Sequence, residues 1–302
     1  MIRITFPSVD AHRTPDELFE GLPDFPWEPV YREWDGLRLA HLDEGDGPPL
    51  LLLHGEPTWS FLWRKVIPPL LEAGYRCVVP DLPGFGRSDK PTDDSWYSFD
   101  RYTAAVSDLV RDLDLTGATA VVHDWGGPIG LYVASVAERD RFDRLVAMNT
   151  GVFNGHQRMS DDWHRFADFV AANHDLPIEP LIGGATSTDL SEAVMRGYTA
   201  PFDTPEAKAG ARSFPLLIPT SPDAPGAVEG QQTMDVLITD DRPSLLLWGV
   251  DDPALPLDPV GRAVQLLFPQ ADPLTPIEGA SHFLQEDRGE ETGRLIADWL
   301  SG

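Results

Sequence analysis

Short, continuous apolar runs alternate with longer amphipathic stretches along most of this 302-residue chain, and this alternation limits its possible folds most strongly. Runs such as LLLL (50–53) and LLLW (245–248) suit strands that are covered on both faces, as the strands of a parallel sheet are. The alternation of strands with helices predicts an α/β fold with a mainly parallel sheet. The predicted strands span residues 50–54, 76–81, 119–124, 144–149, 244–249 and 273–279, and the predicted helices span 100–113, 128–138 and 259–268.

Two regions depart from this alternation. The segment WDGLRLAHLDEG (34–45), before the first parallel strand, predicts an antiparallel hairpin at the edge of the sheet. Between about residues 154 and 235, amphipathic helical stretches and a proline-rich turn region replace the strands. We interpret this region as a helical cap above the carboxyl ends of the strands, where open sheets place their active sites. The predicted domains are therefore a core of residues 1–153 and 236–302 and a cap of residues 154–235.

The composition excludes several other classes of protein. Hydrophobic residues make up 42% of the chain, enough for a sizeable core. No apolar stretch approaches the roughly 18 residues of a membrane span. The first ten residues lack the apolar run of a signal peptide. Together these two features predict a cytoplasmic protein. The single cysteine, Cys77, excludes an internal disulfide and a CxxC metal or redox site, and we expect it to be packed inertly in a strand.

The chain is strongly acidic. Its 49 acidic and 23 basic residues give a net charge of −26, which repels nucleic acid and anionic lipid. Two interpretations of this charge stay open. It provides solubility, or it reflects adaptation to high salt, where screening relieves the repulsion between like charges.

Acid–base side chains follow three of the predicted strands. Asp124 follows VVH, Asp251 and Asp252 follow LLLWGV, and His282 follows the last strand in EGASHFLQE. This order of nucleophile, acid and histidine is that of the α/β-hydrolase triad. Three members in the right order, each at the end of a strand, predict one hydrolytic site.

The nucleophile position carries a carboxylate, where many hydrolases have a serine. An ionised aspartate needs no activating base at neutral pH. It can attack a saturated carbon that bears a halogen, expel halide and leave an alkyl ester that water then cleaves. The chain has Val122 two residues before Asp124, where the G-x-S-x-G motif has glycine, but Gly126 is present. The alternative for Asp124 is a purely structural helix N-cap.

Five segments of the predicted core share a family pattern: HGEPTWS (54–60), DLPGFGRSDKP (81–91), HDWGG (123–127), WGVDDPAL (248–255) and ASHFLQE (280–286). With these segments the chain resembles the haloalkane dehalogenases, and the likeness covers nearly its whole length. YTAPF, KAGARSFPLLIPTSP and the neighbourhood of Trp163 resemble the cap of that family, whereas HGxP and HDWGG are shared with epoxide hydrolases. The resemblance implies an α/β-hydrolase fold, with a mainly parallel eight-stranded sheet flanked by helices and a helical cap inserted before the last two strands.

The resemblance also implies roles for the acid–base groups. His282 would activate water for ester cleavage. Asp252, by its spacing from the preceding strand, is favoured over Asp251 as the acid that orients the histidine. Some relatives carry a glutamate after the earlier strand instead, but Asn149 stands there and supplies no negative charge.

Indole and backbone N–H groups complete the implied site. The indole N–H groups of Trp125 and Trp163 would bind the leaving halide, although core packing is an alternative for Trp163. One subgroup uses an asparagine in an HGNP motif where this chain has Glu56. The backbone N–H groups of Glu56 and Trp125 would form the oxyanion hole, the Glu56 side chain would position the hydrolytic water, and the bond before Pro57 would be cis. The residues that match pocket positions of the family are Phe214, Pro215, Ile218, Leu255 and Pro128, with Phe214 also explicable as core.

No cofactor and no metal are expected. The GxG in DLPGFGRSDKP lacks the third glycine of a dinucleotide site, and no cluster of histidine, cysteine and carboxylates has metal spacing. The predicted partners are a small halogenated alkane, water and the halide product, with the chain a monomer or weak homo-oligomer. Two alternative functions stay open. An epoxide hydrolase would need acidic cap hydroxyls such as that of Tyr198, and a non-catalytic ligand-binding protein of this fold would usually lack a triad member.

Overall fold

The apolar runs of the sequence form the central strands of one sheet. A computed structural model of the chain describes residues 9–302, apart from the side chain of residue 162. The expected absence of a signal peptide concerns residues 1–8, outside this range. The strands in the described range are β1 (Ala11–His12), β2 (Val30–Trp34), β3 (Leu37–Glu44), β4 (Pro49–Leu53), β5 (Arg76–Pro80), β6 (Lys90–Pro91), β7 (Ala118–Asp124), β8 (Phe142–Thr150), β9 (Ser244–Gly249) and β10 (Thr275–Ile277).

The main sheet has eight strands in the order β10-β9-β8-β7-β4-β5-β3-β2. The strands from β10 to β5 in this order are parallel, whereas β3 pairs antiparallel with both β5 and β2. The predicted fold and the antiparallel edge hairpin are therefore confirmed. Strand β7 lies between β4 and β8, so the carboxyl ends of these three strands meet at the middle of one sheet edge.

Helices cover the sheet, and those between β8 and β9 form a separate run. Serine side chains cap the first turns of several helices: Ser160 accepts a hydrogen bond from the N–H of Trp163, and Ser191 from that of Val194. The α-helices are α1 (Ile67–Glu72), α2 (Phe99–Asp112), α3 (Gly126–Tyr132), α4 (Asp161–Ala172), α5 (Ile178–Gly184), α6 (Glu192–Thr199), α7 (Ala209–Ser213), α8 (Ala227–Leu237), α9 (Arg262–Gln265), α10 (Leu284–Asp287) and α11 (Gly289–Ser301).

Helices α4 to α8 interrupt the strand order where the sequence predicted a cap. Within residues 151–243, all described, there is no strand. Helix α8 packs against α3 of the core and runs across residue 235, the predicted end of the cap. The boundaries at 154 and 235 stay a prediction.

One predicted helix is much shorter than expected. The prediction spanned residues 259–268, but α9 covers only Arg262–Gln265 and follows an irregular helical turn at Leu257–Gly261. Proline explains the difference at both ends, because Pro259 has no N–H to donate and Pro269 disfavours helical backbone at Phe268.

The core lies on both faces of the central strands. The leucines of β4 at positions 50–53 are at most 1% exposed. Cys77 of β5 is also buried, and burial raises the pKa of its thiol to about 12, as expected for an inert packing residue. Across residues 9–302, no helix is both long and apolar enough to cross a membrane.

Candidate active site

Asp124 stands at a sharp turn between β7 and α3. Its backbone has φ of +49°, a left-handed conformation that non-glycine residues rarely adopt. The turn requires the start of α3 to pack closely against strand β4, which only a residue without a side chain allows at position 126. A Cβ atom at Gly126 would lie 2.2 Å from the carbonyl oxygen of Leu53. The Thr150 hydroxyl donates to the Asp124 carbonyl at 2.6 Å and holds the turn against β8.

His282 lies between two carboxylates. Its Nδ1 is 2.8 Å from Oδ2 of Asp252, and its Nε2 is 3.4 Å from Oδ2 of Asp124. Asp252 is buried, with 3% of its surface exposed, whereas Asp251 is exposed and its backbone N–H bonds to Ala280. The three groups ordered along the sequence thus meet in space, and Asp252 rather than Asp251 contacts the histidine.

The charges of this site are strongly coupled. Burial alone would lower the pKa of His282, but Asp252 and Asp124 outweigh burial and raise this pKa to about 10. Burial likewise opposes ionisation of Asp252, but His282 and several hydrogen bonds lower the pKa of Asp252 to about 2. The pKa of Asp124 is also lowered, because His282 outweighs the effect of burial. Both carboxylates are therefore ionised at neutral pH.

Asn149 supports the acid, a role that sequence reasoning missed. Its Nδ2 donates to Oδ2 of Asp252 at 2.7 Å, and its Oδ1 accepts the backbone N–H of Gly249 at 2.8 Å. The backbone N–H groups of Ala254 and Leu255 donate to the other oxygen of Asp252. In the sequence, Asn149 is recognisable only as a residue that cannot be the acid. The position of Asn149 at the end of β8, next to β9, was the signal that it could contact Asp252.

Two backbone N–H groups donate hydrogen bonds to the Asp124 carboxylate. The N–H of Glu56 donates to Oδ1 of Asp124 at 2.7 Å, and the N–H of Trp125 also donates to this carboxylate. The peptide bond between Glu56 and Pro57 is cis. Burial, together with the charge of Asp124, raises the pKa of Glu56 well above its usual range and so favours the protonated form of this carboxyl group.

An apolar cavity of about 330 Å³ opens at Asp124. The core contributes the reactive groups, and helices of the run α4 to α8 contribute much of the opposite wall. Of the predicted wall residues, Pro128, Pro215, Ile218 and Leu255 line the cavity. The lining is Glu56, Pro57, Asp124, Trp125, Pro128, Gly151, Phe153, Trp163, Phe166, Pro180, Leu181, Gly184, Ala185, Pro215, Ile218, Ala254, Leu255, His282 and Phe283.

Phe214 is the exception among the predicted wall residues. It is fully buried behind the cavity, where its ring stacks on Trp125 with 4.9 Å between centroids and 7° between planes. Its other faces contact Phe85 and Tyr102. Because Trp125 stands between Phe214 and the cavity, Phe214 supports the wall and does not line it.

Two tryptophans reach the cavity from opposite sides. Trp125 follows Asp124 directly, and Trp163 lies in the first turns of α4. The indole nitrogen of Trp163 is buried and has no hydrogen-bond partner among the described atoms. A buried N–H without a partner is costly, and a ligand atom in the cavity can satisfy it.

Tyr198 does not face the cavity. It is fully buried, and its hydroxyl donates to Oε2 of Glu286 at 2.7 Å, beside the buried guanidinium of Arg64. The hydroxyl is therefore committed to an internal ion pair, which removes the acid that an epoxide hydrolase would require in this cap. His54 and His123 are likewise occupied by backbone partners, at Leu82 and His282 respectively.

Within residues 9–302, no group of three or more histidine, cysteine, aspartate or glutamate side chains could hold a metal ion. The described wall of the cavity carries an ionised aspartate, a histidine paired with a second aspartate, and N–H donors.

Known proteins resemble this chain along almost its full length. A family model described as the alpha/beta hydrolase fold matches residues 48–289. Haloalkane dehalogenases of Psychrobacter cryohalolentis and Mycobacterium marinum are each 39% identical to it, over 95% and 96% of this chain and 97% and 100% of theirs. The solved structure of the haloalkane dehalogenase DpaA from Paraglaciecola agarilytica NO2, described as tetrameric, is 34% identical with a TM-score of 0.90, covering 95% of this chain and 97% of that one.

These full-length similarities agree with a carboxylate in the nucleophile position and an apolar cavity above it. The chain belongs to the haloalkane dehalogenase family of α/β hydrolases, which hydrolyse carbon–halogen bonds.

Proposed function

We propose that this enzyme hydrolyses small haloalkanes through a covalent ester on Asp124, with His282 as base and Asp252 as acid. The observation that supports this most is the environment of the Asp124 carboxylate. It is ionised, it contacts His282 on one side, and it opens on an apolar cavity on the other. A poorly hydrated carboxylate that faces an apolar cavity is suited to attack an alkyl carbon.

In the first step, an oxygen of Asp124 forms a bond to the carbon that bears the halogen. The carbon–halogen bond breaks, and the halide leaves with its electron pair. The charge that develops on the halogen is stabilised by the indole N–H groups of Trp125 and Trp163, which lie on the wall of this apolar cavity. The product is an alkyl ester of Asp124.

In the second step, water attacks the carbonyl carbon of this ester, and His282 accepts a proton from the water. The negative oxygen that forms on Asp124 is stabilised by the backbone N–H groups of Glu56 and Trp125. When this intermediate collapses, the bond from the carbonyl carbon to the alkyl-bearing oxygen breaks, and that oxygen takes the proton from His282 and leaves as the alcohol. The carboxyl group of Asp124 then loses its proton to solvent, which restores the carboxylate. In the overall reaction, the haloalkane and water are converted to an alcohol, a halide ion and a proton. The side chain of Glu56, whose Oε1 is buried with no hydrogen-bond partner among the described atoms, is proposed to orient the water.

The Trp163→Phe variant tests the halide site. Phenylalanine keeps the apolar ring but removes the N–H donor, so we expect turnover of 1-bromobutane and 1,2-dibromoethane to fall about 10²-fold, the effect typical of losing one such donor. Added bromide should also inhibit the variant less than the parent, because free halide loses the same donor. The measurement is bromide release, at low and at high salt.

The matched control is Trp299→Phe, which replaces a half-buried tryptophan of α11 outside the cavity and should leave turnover unchanged. Equal bromide inhibition in Trp163→Phe and the parent would contradict the halide role. Formation of a diol from styrene oxide without any halide release would favour epoxide hydrolysis.

The two steps should respond differently to pH. His282 accepts a proton only when neutral, and its raised pKa of about 10 keeps it protonated in the free enzyme. Formation of the ester removes the charge of Asp124 and so lowers the pKa of His282 in the intermediate. Turnover should therefore rise as pH increases through that lower pKa, while the initial burst of halide stays constant. Rapid-quench measurement of bromide across this pH range tests the idea, and a burst that shrinks in parallel with turnover would contradict it.

We also propose that residues 154–235 act as the cap domain. The cap supplies Trp163, Phe166 and Ile218 to the cavity wall, and the core supplies the acid–base groups. The size of the cavity suits a small halogenated alkane. A cytoplasmic location, a monomeric or weakly associated state, and adaptation of the acidic surface to high salt stay predictions.

A further inference from the structure

The carboxylate of Asp287, at the end of α10, binds two separate loops. Its Oδ1 accepts the backbone N–H groups of Ser187 at 3.0 Å and Thr188 at 2.8 Å, in the loop after α5. Its Oδ2 accepts the backbone N–H of Ser281 at 2.9 Å and also lies 2.9 Å from the nitrogen of Ser187. A carboxylate has two acceptor oxygens and no donor, so it matches a site made of three N–H groups.

These two loops carry parts of the active site. Ser281 directly precedes His282, and the loop after α5 begins at Ala185 on the cavity wall. A backbone hydrogen bond already joins them, from the N–H of Phe283 to the carbonyl of Ala185 at 3.0 Å. Asp287 makes the second connection, because its carboxylate accepts N–H groups from both loops.

We propose that Asp287 is a positioning residue, which fixes His282 relative to the cavity wall for ester hydrolysis. This inference rests on the proposed role of His282 as base. The imidazole of His282 must hold a water molecule against the carbonyl carbon of Asp124, and the backbone on its N-terminal side is fixed by Asp287. A shift of the order of 1 Å in a reacting group can lower a rate about 10²-fold.

The rest of α10 has its own connection to the core, so that loss of the Asp287 contacts leaves the helix in place. Glu286 accepts hydrogen bonds from Arg64 at 2.9 Å and from Lys65 at 2.8 Å. It also accepts the hydroxyl of Tyr198, from α6 of the inserted run. We therefore expect Asp287 variants to fold.

The test is Asp287→Asn with 1-bromobutane as substrate. Asparagine keeps the size of the side chain but turns one acceptor oxygen into a donor that faces backbone N–H groups. The matched control is Glu291→Gln, which removes one negative charge from an exposed position of α11. Rapid-quench bromide release gives two values: the burst counts folded, alkylation-competent sites, and the steady rate per burst site reports ester hydrolysis independently of any unfolded protein.

For Asp287→Asn we expect a full burst and a steady rate per site that falls about 10- to 100-fold, with Glu291→Gln unchanged. Thr188→Pro, which deletes one of the donors from the other loop, should give a smaller fall in the same direction. A rate per site equal to that of the parent in both variants would overturn the role of Asp287, as would loss of the burst in folded Asp287→Asn. A His282→Gln variant run alongside separates the cases, because normal turnover there would refute the base itself.

Discussion

Replacement of Asp124 by alanine is expected to abolish halide release from haloalkanes. Loss of a nucleophile that forms the covalent intermediate costs several orders of magnitude, and we expect a fall of at least about 10⁴-fold. No other group on the described cavity wall can substitute for it. Glu56 is the other carboxyl group there, and burial raises its pKa well above the usual range, which makes it a poorer nucleophile than the ionised Asp124. The measurement is bromide release from 1-bromobutane, with circular dichroism to establish that the variant is folded.

The matched control for this variant is Asp251→Asn. Asp251 carries the same side chain at the end of another strand, but it is exposed and does not contact His282. Its replacement should leave halide release near the parental rate. Saturable release by Asp124→Ala would contradict the proposal, because catalysis would then proceed without the ester.

Replacement of His282 by glutamine should separate the two halves of the reaction. The first step needs only the ionised Asp124, so one equivalent of bromide should still be released per active site. The ester then persists, because no base accepts a proton from the attacking water, and we expect steady turnover to fall about 10²- to 10⁴-fold. Mass spectrometry of the peptide that contains Asp124 should find an added butyl group.

A His282→Gln variant that gives no initial burst of bromide would contradict the proposed roles, because the histidine would then act in the first step. The Asp252→Asn variant tests the same step, hydrolysis of the ester on Asp124, in a second way. It removes the charge that orients and stabilises the imidazolium, and it should slow turnover far more than Asp251→Asn does.

The sequence alone is sufficient to predict much of this molecule, because the informative patterns are local. Continuous apolar runs identified the central strands, and the carboxyl ends of parallel strands meet by geometry. The sequence therefore predicts that Asp124 and His282 lie in one site. Their 3.4 Å approach agrees with that expectation.

The features that were missed depend on contacts between residues far apart in the chain. Phe214 matches a pocket position, but only the packed structure puts Trp125 between it and the cavity. Asn149 reaches Asp252 across two strands, and Asp287 reaches backbone groups 100 residues away, which no periodicity encodes. Helix α9 is short because Pro259 and Pro269 disfavour helical backbone at its two ends, although the apolar pattern predicts a longer helix.

The central claim is that the oxygen of the product alcohol comes from Asp124 and not directly from water. A single turnover of 1-bromobutane in water labelled with oxygen-18, with enzyme in excess, tests it most directly. The account predicts unlabelled butanol and one labelled oxygen in the peptide that contains Asp124, because water attacks the carbonyl carbon of the ester. Labelled butanol with an unlabelled peptide would show direct attack of water on the haloalkane and would contradict the ester mechanism.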